Sequence, residues 1–556
     1  MTFPLLALLF LMVSAASLGG AVLTRRYALF GMAGSTLLLA LHGRVFLEDT
    51  SADDAFIYFR YARNWADGFG PNWNYDGERV EGYTGILWLL PLVAAAKLGL
   101  DIPATARYLG FACSVGVLAM QYPLAARLPE GRLTPLAPVL AGLALAASAP
   151  FAAWTFAGME APLFMLLVLV AVYFHLREDA SQRGIPWSGL FFALAMATRP
   201  EGALFAAVTG LFKLSALRDP QSRRDRLFQL WAWLGFIVLL YGSYFLWRYQ
   251  YYGHLLPNTF YAKASGGSDY YDRGVHYLAD SGSDYGLLLL FAGFVAYLAR
   301  ISTLRPVLYV AALSIAWVAW VALSGGDTLI QGRFIVPVLP LLFLPAAFGA
   351  LLMLRTSGEQ FSYAVARPAF ALLFAAVLMG FLYHSLHPFV EFNRNLHGQR
   401  VTIGRWMAKN LPPDTTIAVT AAGAIPYYSK LPTLDMLGLN DEHIAHVDTS
   451  TFDQGASAVI RGFAGHEKYD VDYVLAQRPQ VIFLGGGVGF APRPTQADYA
   501  RANWDLPNEY YLVHHPRTFQ LYAPVVIAMG EGGWLNLLVD RQARTLHVRL
   551  RGLSPP

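Results

Sequence analysis

Two adjacent aspartates, Asp53 and Asp54, are the residues of this chain best suited to chemistry. They follow an apolar segment, about residues 28–47, that is long enough to cross a bilayer. One carboxylate of such a pair can accept a proton from a hydroxyl or stabilise a cationic sugar transition state, while the other orients it or holds a metal. The alternative role is structural, because carboxylates also stabilise a helix N-terminus. Arg60 and Arg63 follow, and salt bridges are the structural expectation for both.

The elements that must position this pair are membrane helices. The 556 residues are 56% hydrophobic and 14% charged, with a mean hydropathy of +0.40, whereas soluble domains are about 45–50% apolar and roughly 25% charged. Apolar runs predict about twelve membrane segments, with residues 135–153 and 285–300 as one span each. Pro200 interrupts residues 186–217, which predicts two short helices there. Residues 85–98 are short and are predicted to lie along the outer surface.

Charge and cysteine content exclude several classes of function. The net charge is +4, and no basic run carries the interleaved aromatics of a nucleic-acid site, so we expect no nucleic-acid partner. The single cysteine, Cys113, excludes disulfides within the chain and thiolate metal clusters. No histidine or cysteine cluster has zinc-site spacing, and no Ser-His-Asp arrangement stands out.

The distribution of Lys and Arg predicts the orientation of the chain, since these residues favour cytoplasmic loops. Basic loops such as Arg25-Arg26 and residues 218–226 alternate with loops that must then face outward. The outward segments are residues 48–103, 154–160, 249–284 and 324–334, and the tail after about residue 387. Polar residues therefore collect at one face, which is typical of a site at the membrane–water boundary rather than of a pore.

Most of the remaining candidate residues lie on this outward side. They are Arg60, Glu81, Tyr83, Glu160, Arg199, Glu201, His254, Asn258, Lys263, Asp327 and Arg333. Arg199, Lys263 and Arg333 are candidate phosphate ligands, because guanidinium and ammonium groups pair with phosphate oxygens. Each also has a structural alternative. Glu201 is an ion-pair partner for Arg199, Asp327 is one for Arg333, and Lys263 can snorkel beside neighbouring tyrosines.

The chain changes character after about residue 386. Short buried strands are predicted in the tail, and residues 393–405 have a helical pattern. The predicted strands are residues 416–420, 480–484 and 510–514, with further candidates at 519–524 and 534–539. We predict a helical membrane domain at residues 1–386, with juxtamembrane helices and a first outward loop at 48–103. A mixed α/β soluble domain at residues 387–556 follows, large enough to fold alone.

Several motifs together resemble a known class of enzyme. They are Asp53–Asn64 (DDAFIYFRYARN), Val80–Thr84, Gly158–Glu160, Thr198–Gly202, Leu256–Lys263 and Ser324–Asp327 with Arg333. The combination resembles the GT-C class of integral-membrane glycosyltransferases, which use polyprenyl-phosphate sugars. Within that class it is most similar to the terminal arabinofuranosyltransferases of the mycobacterial arabinogalactan type.

The resemblance implies a site at the outer membrane surface. There a first-loop aspartate, Asp53 before Asp54, acts at the acceptor hydroxyl, and basic residues hold the lipid phosphate as it leaves. The implied donor is of the decaprenyl-phosphoryl-arabinofuranose type, and the tail helps to hold a glycan or glycoprotein acceptor. Whether a divalent metal binds at Asp53 and Asp54 stays open. The resemblance implies that no nucleotide site is needed. The implied location is the bacterial plasma (inner) membrane, with the site and the tail on the periplasmic or outer face, in cell-envelope biogenesis.

Two alternatives remain. Another GT-C transferase, for mannose, aminoarabinose or a pilin acceptor, would share the same motifs. A lipid transporter or sensor with an outer binding domain belongs to a different class. It predicts mid-membrane polar residues or paired half-repeats, and neither is evident in the sequence.

Overall fold

The structure is a computed structural model of the chain. It describes residues 3–46, 52–75, 77–129, 134–181, 184–263, 268–284, 286–299, 305–327, 332–384, 388–448, 466–530 and 533–551. The chain forms two compact units. The first comprises Met1–Thr50, Ala104–Trp247 and Ser268–Glu391, and the second comprises Ser51–Pro103, Arg248–Gly267 and Phe392–Pro556. The predicted domain boundary at residue 386 lies outside the described residues and stays a prediction.

Long apolar helices show that this is a multi-pass membrane protein. Within the described residues, eight helices are long and apolar enough to cross a bilayer: Pro4–Thr24, Tyr27–Val45, Ile102–Ala125, Ala161–Ser181, Arg223–Tyr252, Arg305–Leu323, Val336–Gln360 and Tyr363–His384. Shorter apolar helices are Ile86–Lys97, Trp187–Thr198, Gly202–Ala216 and Leu287–Leu298. The polar helix Ser268–Asp284 also belongs to the first unit. These elements confirm the predicted helical membrane fold.

Prolines break two of the apolar runs. Helices Ala137–Ala147 and Ala149–Phe156 meet at 66°, so the single span predicted at 135–153 is a bent pair. Pro150 lacks an N–H, and its ring would clash with the preceding turn of a continuous helix. The predicted break near Pro200 is confirmed, since Trp187–Thr198 ends at Arg199, whose backbone is extended, and Gly202–Ala216 follows.

The second unit contains a mixed five-stranded sheet. The strands are β1 Ile417–Val419, β2 Thr433–Asp435, β3 Val481–Phe483, β4 Tyr522–Ala528 and β5 Trp534–Asp540, in the order β2-β1-β3-β5-β4. β1 pairs in parallel with β2 and β3, whereas β5 pairs antiparallel with β3 and β4. The predicted mixed α/β tail is therefore confirmed.

The two faces of the sheet carry separate cores, because side chains alternate along a strand. One face buries Ile417, Val419 and the corresponding residues of β3 and β5 against Ile403 and Met407. The opposite face buries Leu538 and its neighbours against the helix that contains Leu512. Helices of this unit are Asp53–Ala66, Ile86–Lys97, Asn258–Lys263, Pro388–Asn410, Ala424–Ser429, Glu442–Ala445, Val471–Gln477, Gln496–Arg501, Pro507–His514, Thr518–Leu521 and Arg544–Arg551.

Two strand predictions need correction. Residues 510–514 are not a strand but the end of helix Pro507–His514. Pro507 occupies its first turn, where the missing N–H costs nothing, and so favours a helix there. The candidate at 519–524 begins as the short helix Thr518–Leu521 and becomes a strand only from Tyr522. Strand β2, which is three residues long, was not predicted.

A buried carboxylate at the end of β2 makes the stability of this unit depend on pH. Burial raises the pKa of Asp435 from 3.8 to about 6, although Asn440 and the Leu437 amide donate hydrogen bonds to it. Because the folded state then binds more protons than the unfolded state, the free energy of unfolding falls as pH rises from about 4 to about 6. We expect a loss of about 3 kcal/mol over that window.

The measurement is chemical unfolding of the full chain in detergent at several pH values. The control is Asp435→Asn, which we expect to lose this part of the pH slope while the other titrating groups keep theirs. Equal slopes for both proteins between pH 4 and pH 6 would contradict the prediction.

Candidate active site

Asp53 begins the helix Asp53–Ala66, whose first turn also holds Asp54. The Asp53 Oδ1 atom accepts a hydrogen bond from the Ala424 amide at 3.0 Å, and Oδ2 accepts one from the Gly423 amide at 3.1 Å. Nη1 of Arg400 lies 3.3 Å from Oδ2. Asp53 is therefore oriented by two backbone donors and one ion pair from the tail.

This arrangement depends on close approach of the backbone. A Cβ atom at residue 423 would overlap Asp53, so only glycine fits there. A carboxylate offers about four lone-pair positions, of which the two backbone donors occupy two. The Asp53 side chain is 16% exposed, so its oxygens can also accept a hydrogen bond from a hydroxyl outside the chain. Asp54 is half-buried beside it.

Arg60 is held in the interior of the second unit, at 1% exposure. Its guanidinium donates to the carbonyls of Trp73, Pro426 and Leu431 and to Asn74 Oδ1, at 2.7–2.9 Å. It also stacks on the Trp73 ring, 4.5 Å from the centroid. The prediction of a salt bridge is wrong for Arg60, because its described partners are all neutral oxygens. The fork of donors joins the first-loop segment to the tail segment of this unit.

Glu81 forms a buried ion pair with Arg248, which sequence reasoning missed. Arg248 Nε lies 3.0 and 3.1 Å from the two Glu81 carboxylate oxygens, and its Nη2 also donates to Glu81. Both side chains are under 5% exposed. Tyr83 is buried nearby, and its hydroxyl is 3.1 Å from that of Tyr252. Arg248 ends an apolar span beside an outward loop, and the rule that such a charge needs a partner would have pointed to it.

The Pro257-Asn258-Thr259 segment is tied to the tail. Asn258 Nδ2 donates to the carbonyls of Gly438, Leu439 and Asp441 at 2.8–3.2 Å. His254 Nε2 lies 2.9 Å from Glu442 Oε1. Lys263 is half-buried at the end of helix Asn258–Lys263. Asn258 therefore positions the segment that carries His254 and Lys263.

Five predicted residues come together in the first unit, at the break between helices Trp187–Thr198 and Gly202–Ala216. Arg199 pairs with Glu160 at 3.1 Å and with Glu201 at 3.0 Å. Arg333 Nε lies 2.7 Å from Asp327 Oδ2.

The ring of Phe334 lies beside both guanidiniums of this cluster. Its centroid is 5.8 Å from Cζ of Arg199 and 5.1 Å from Cζ of Arg333. Three carboxylates and two guanidiniums give the cluster a formal charge of −1. A lipid phosphate that binds there must therefore compete with carboxylates for both cations, and the predicted phosphate role stays a prediction.

The predicted residues thus fall into two groups, one in each unit. Asp53, Asp54, Arg60, Glu81, Tyr83, His254, Asn258 and Lys263 belong to the second unit, and Glu160, Arg199, Glu201, Asp327 and Arg333 to the first. Across the described ranges, no three His, Cys, Asp or Glu side chains are arranged to hold a metal ion. The candidate metal at Asp53 and Asp54 stays a prediction.

Part of the tail matches a family model, and the chain is also similar to a curated protein. The model, Domain of unknown function (DUF8728), matches residues 393–528. The chain is 28% identical over 354 residues to the terminal beta-(1->2)-arabinofuranosyltransferase of Mycobacterium tuberculosis. That match covers 56% of this chain, and the chain spans about half, 54%, of the length of that relative.

Solved structures reveal the fold. The structure of ArnT from Cupriavidus metallidurans bound to undecaprenyl phosphate has a TM-score of 0.57 and 15% identity to this chain, and the apo structure has a TM-score of 0.56 and 16% identity. Each alignment covers 94% of this chain and 98% of ArnT. The chain therefore has the predicted GT-C membrane fold, and its predicted resemblance to the terminal arabinofuranosyltransferases is confirmed.

Proposed function

We propose that this protein is a membrane glycosyltransferase that transfers arabinofuranose from a polyprenyl-phosphate donor to an extracytoplasmic glycan or glycoprotein. The observation that carries this proposal is the 354-residue match to an arabinofuranosyltransferase. The structural neighbour that binds undecaprenyl phosphate supports a lipid-phosphate donor, since the two chains share a fold over most of their lengths.

The proposed reaction needs a group that accepts a proton and a group that stabilises the leaving phosphate. The acceptor hydroxyl attacks the anomeric carbon and gives its proton to Asp53, whose oxygens can accept a hydrogen bond from outside the chain. The bond from the anomeric carbon to the phosphate oxygen breaks, and polyprenyl phosphate leaves with both electrons. It later takes up the proton. Basic residues hold the leaving phosphate in this proposal, and the candidates from the sequence are Lys263, Arg199 and Arg333.

The proposed reaction also implies a location for the protein in the cell. We place the protein in the bacterial plasma membrane, with Asp53 and the tail on the outer or periplasmic face. Support comes from the alternation of basic loops with the polar segments, because Lys and Arg favour the cytoplasmic side. Because polyprenyl-linked donors are presented on that outer side, the proposed site needs no nucleotide.

The sugar is tested with a panel of synthetic polyprenyl phosphates that carry arabinofuranose, mannose or aminoarabinose. We expect the purified full chain in lipid nanodiscs to transfer arabinofuranose at least about tenfold faster than the other sugars, since misplaced hydroxyls leave polar groups of a site unpaired. Product from the mannosyl donor without product from the arabinofuranosyl donor would show that the sugar is wrong.

The ArnT fold favours one second candidate, a GT-C transferase for another sugar. Turnover of the aminoarabinosyl donor alone would establish that alternative. No turnover of any donor, together with transbilayer movement of the lipid phosphate, would favour the transporter reading.

A further inference from the structure

A groove on the tail, remote in sequence from the catalytic aspartates, has no role in the proposed reaction. It has a volume of about 500 Å³ and lies within the second unit. Its lining includes Tyr469, Asp470, Asp472, Tyr511, His514 and His515, which we call the tyrosine groove. Small-molecule sites have volumes of about 300–1,000 Å³ and combine aromatic walls with a few polar groups.

Aromatic rings form one wall of the tyrosine groove. The rings of Tyr469 and Tyr511 stack 4.9 Å apart at an interplanar angle of 11°. The imidazoles of His514 and His515 also line the groove. Tyrosines provide apolar faces together with a hydroxyl that donates and accepts hydrogen bonds. The C–H face of a sugar ring is complementary to such a wall.

Two carboxylates supply the polar side of the tyrosine groove. Asp470 caps helix Val471–Gln477 and lies 2.8 Å from His443 Nε2. The Asp472 side chain is 74% exposed, and its Oδ1 is 3.5 Å from both His515 Nε2 and Arg517 Nη1. Carboxylates accept short, strong hydrogen bonds from hydroxyl groups. The lining therefore offers oxygens that accept from the hydroxyls of a polyhydroxylated chain, while His515 and Arg517 offset part of the charge of Asp472.

We propose that the tyrosine groove binds a neutral oligosaccharide, the glycan acceptor of the transferase. That the bound glycan is the acceptor rests on the proposed function. The lining itself supports the chemical class, because aromatic rings beside carboxylate oxygens recognise sugar rings and their hydroxyls. The groove also lies inside residues 393–528, the segment that matches a domain of unknown function.

The test measures glycan binding and turnover separately in the full chain in detergent micelles. The probe is a synthetic arabinofuranose hexasaccharide, whose affinity is measured by titration calorimetry. For the double variant Tyr469→Ala/Tyr511→Ala, we expect the Kd and the acceptor KM to rise at least about tenfold. We expect kcat and the donor KM to change less than about twofold, since in this proposal the groove holds only the acceptor.

Three further variants make the result specific. Tyr511→Phe keeps the ring and is expected to bind within about threefold of wild type. Asp472→Asn removes an exposed carboxylate and is expected to weaken binding by about three- to tenfold, which tests the proposal even where the double variant fails to fold. Phe490→Ala removes an aromatic side chain that is 98% exposed and lies outside the groove lining, and it is expected to change nothing.

The outcomes separate this proposal from the proposed function. Suppose that a folded double variant transfers arabinofuranose with an unchanged Kd and acceptor KM. That result would overturn glycan binding in the tyrosine groove and leave the proposed function intact. Hexasaccharide binding that requires Tyr469 and Tyr511, without any sugar transfer by wild type, would support the groove as a glycan site and overturn the function. Wild-type turnover without measurable hexasaccharide binding would also overturn the groove.

Discussion

Replacing Asp53 by asparagine is expected to lower turnover by about 10²–10⁴-fold while donor binding is retained. A loss of turnover of this size is typical when a general base that acts in the transition state is removed. Asparagine keeps the shape of the side chain but cannot accept the proton of the acceptor hydroxyl. Turnover is measured with the arabinofuranosyl donor, and donor affinity is measured separately by calorimetry.

The surroundings of Asp53 require that stability be measured alongside activity. Asparagine turns an N–H donor toward the Gly423 or Ala424 amide, so some loss of stability is expected. Asp67→Asn is the matched control, because Asp67 is an exposed carboxylate at the other end of the same helix. A thermal unfolding curve for Asp53→Asn that matches wild type, together with lost turnover, would assign the loss to chemistry.

Asp54→Asn distinguishes the two carboxylates. We expect a smaller loss of turnover than for Asp53→Asn, since the tail orients Asp53 through two backbone donors and an ion pair with Arg400. The reverse order of the two losses would assign the proton acceptor to Asp54. Full turnover in both variants, with donor still bound, would remove the carboxylate pair from the proposed mechanism.

Local patterns in the sequence are enough to predict the membrane helices and much of the tail. Hydropathy over about 20 residues locates spans such as Tyr27–Val45, because crossing a bilayer imposes length and apolarity on one continuous segment. Pro200 predicts its helix break because proline acts on its own turn. The predictions fail where tertiary context decides, as for residues 510–514, whose apolar and aromatic residues fit a strand as well as a helix.

The partners of the site residues could not be predicted in the same way. Asp53 and Ala424 are 371 residues apart in the chain, and Glu81 and Arg248 are 167 residues apart. Residue type shows that a buried charge needs a partner, but only the fold determines which one it meets. Arg199 and Arg333 are the exceptions, because their partners Glu201 and Asp327 are two and six residues away and were predicted as the structural alternatives.

Breaking the buried pair of Glu81 and Arg248 is expected to cost about 3–5 kcal/mol of stability, because the remaining charge is left buried without its partner. Glu81→Gln and Arg248→Met each test this by chemical unfolding in detergent. Removing both charges in Glu81→Gln/Arg248→Met is expected to cost less than the sum of the two single changes, since no charge is then left unpaired. The control is Glu359→Gln, which breaks an exposed pair with Arg355 and is expected to cost under about 1 kcal/mol.

The same variants separate a positioning role for Glu81 from a direct role in substrate binding. If Glu81 and Arg248 act only by stabilising the fold, the double variant regains turnover together with stability. If Glu81 contacts the substrate, the double variant regains stability while the donor or acceptor KM stays raised. A cost for Glu81→Gln no larger than that for Glu359→Gln would contradict the argument from burial. In that case the geometry of the pair, with both side chains under 5% exposed, would not be what stabilises the second unit.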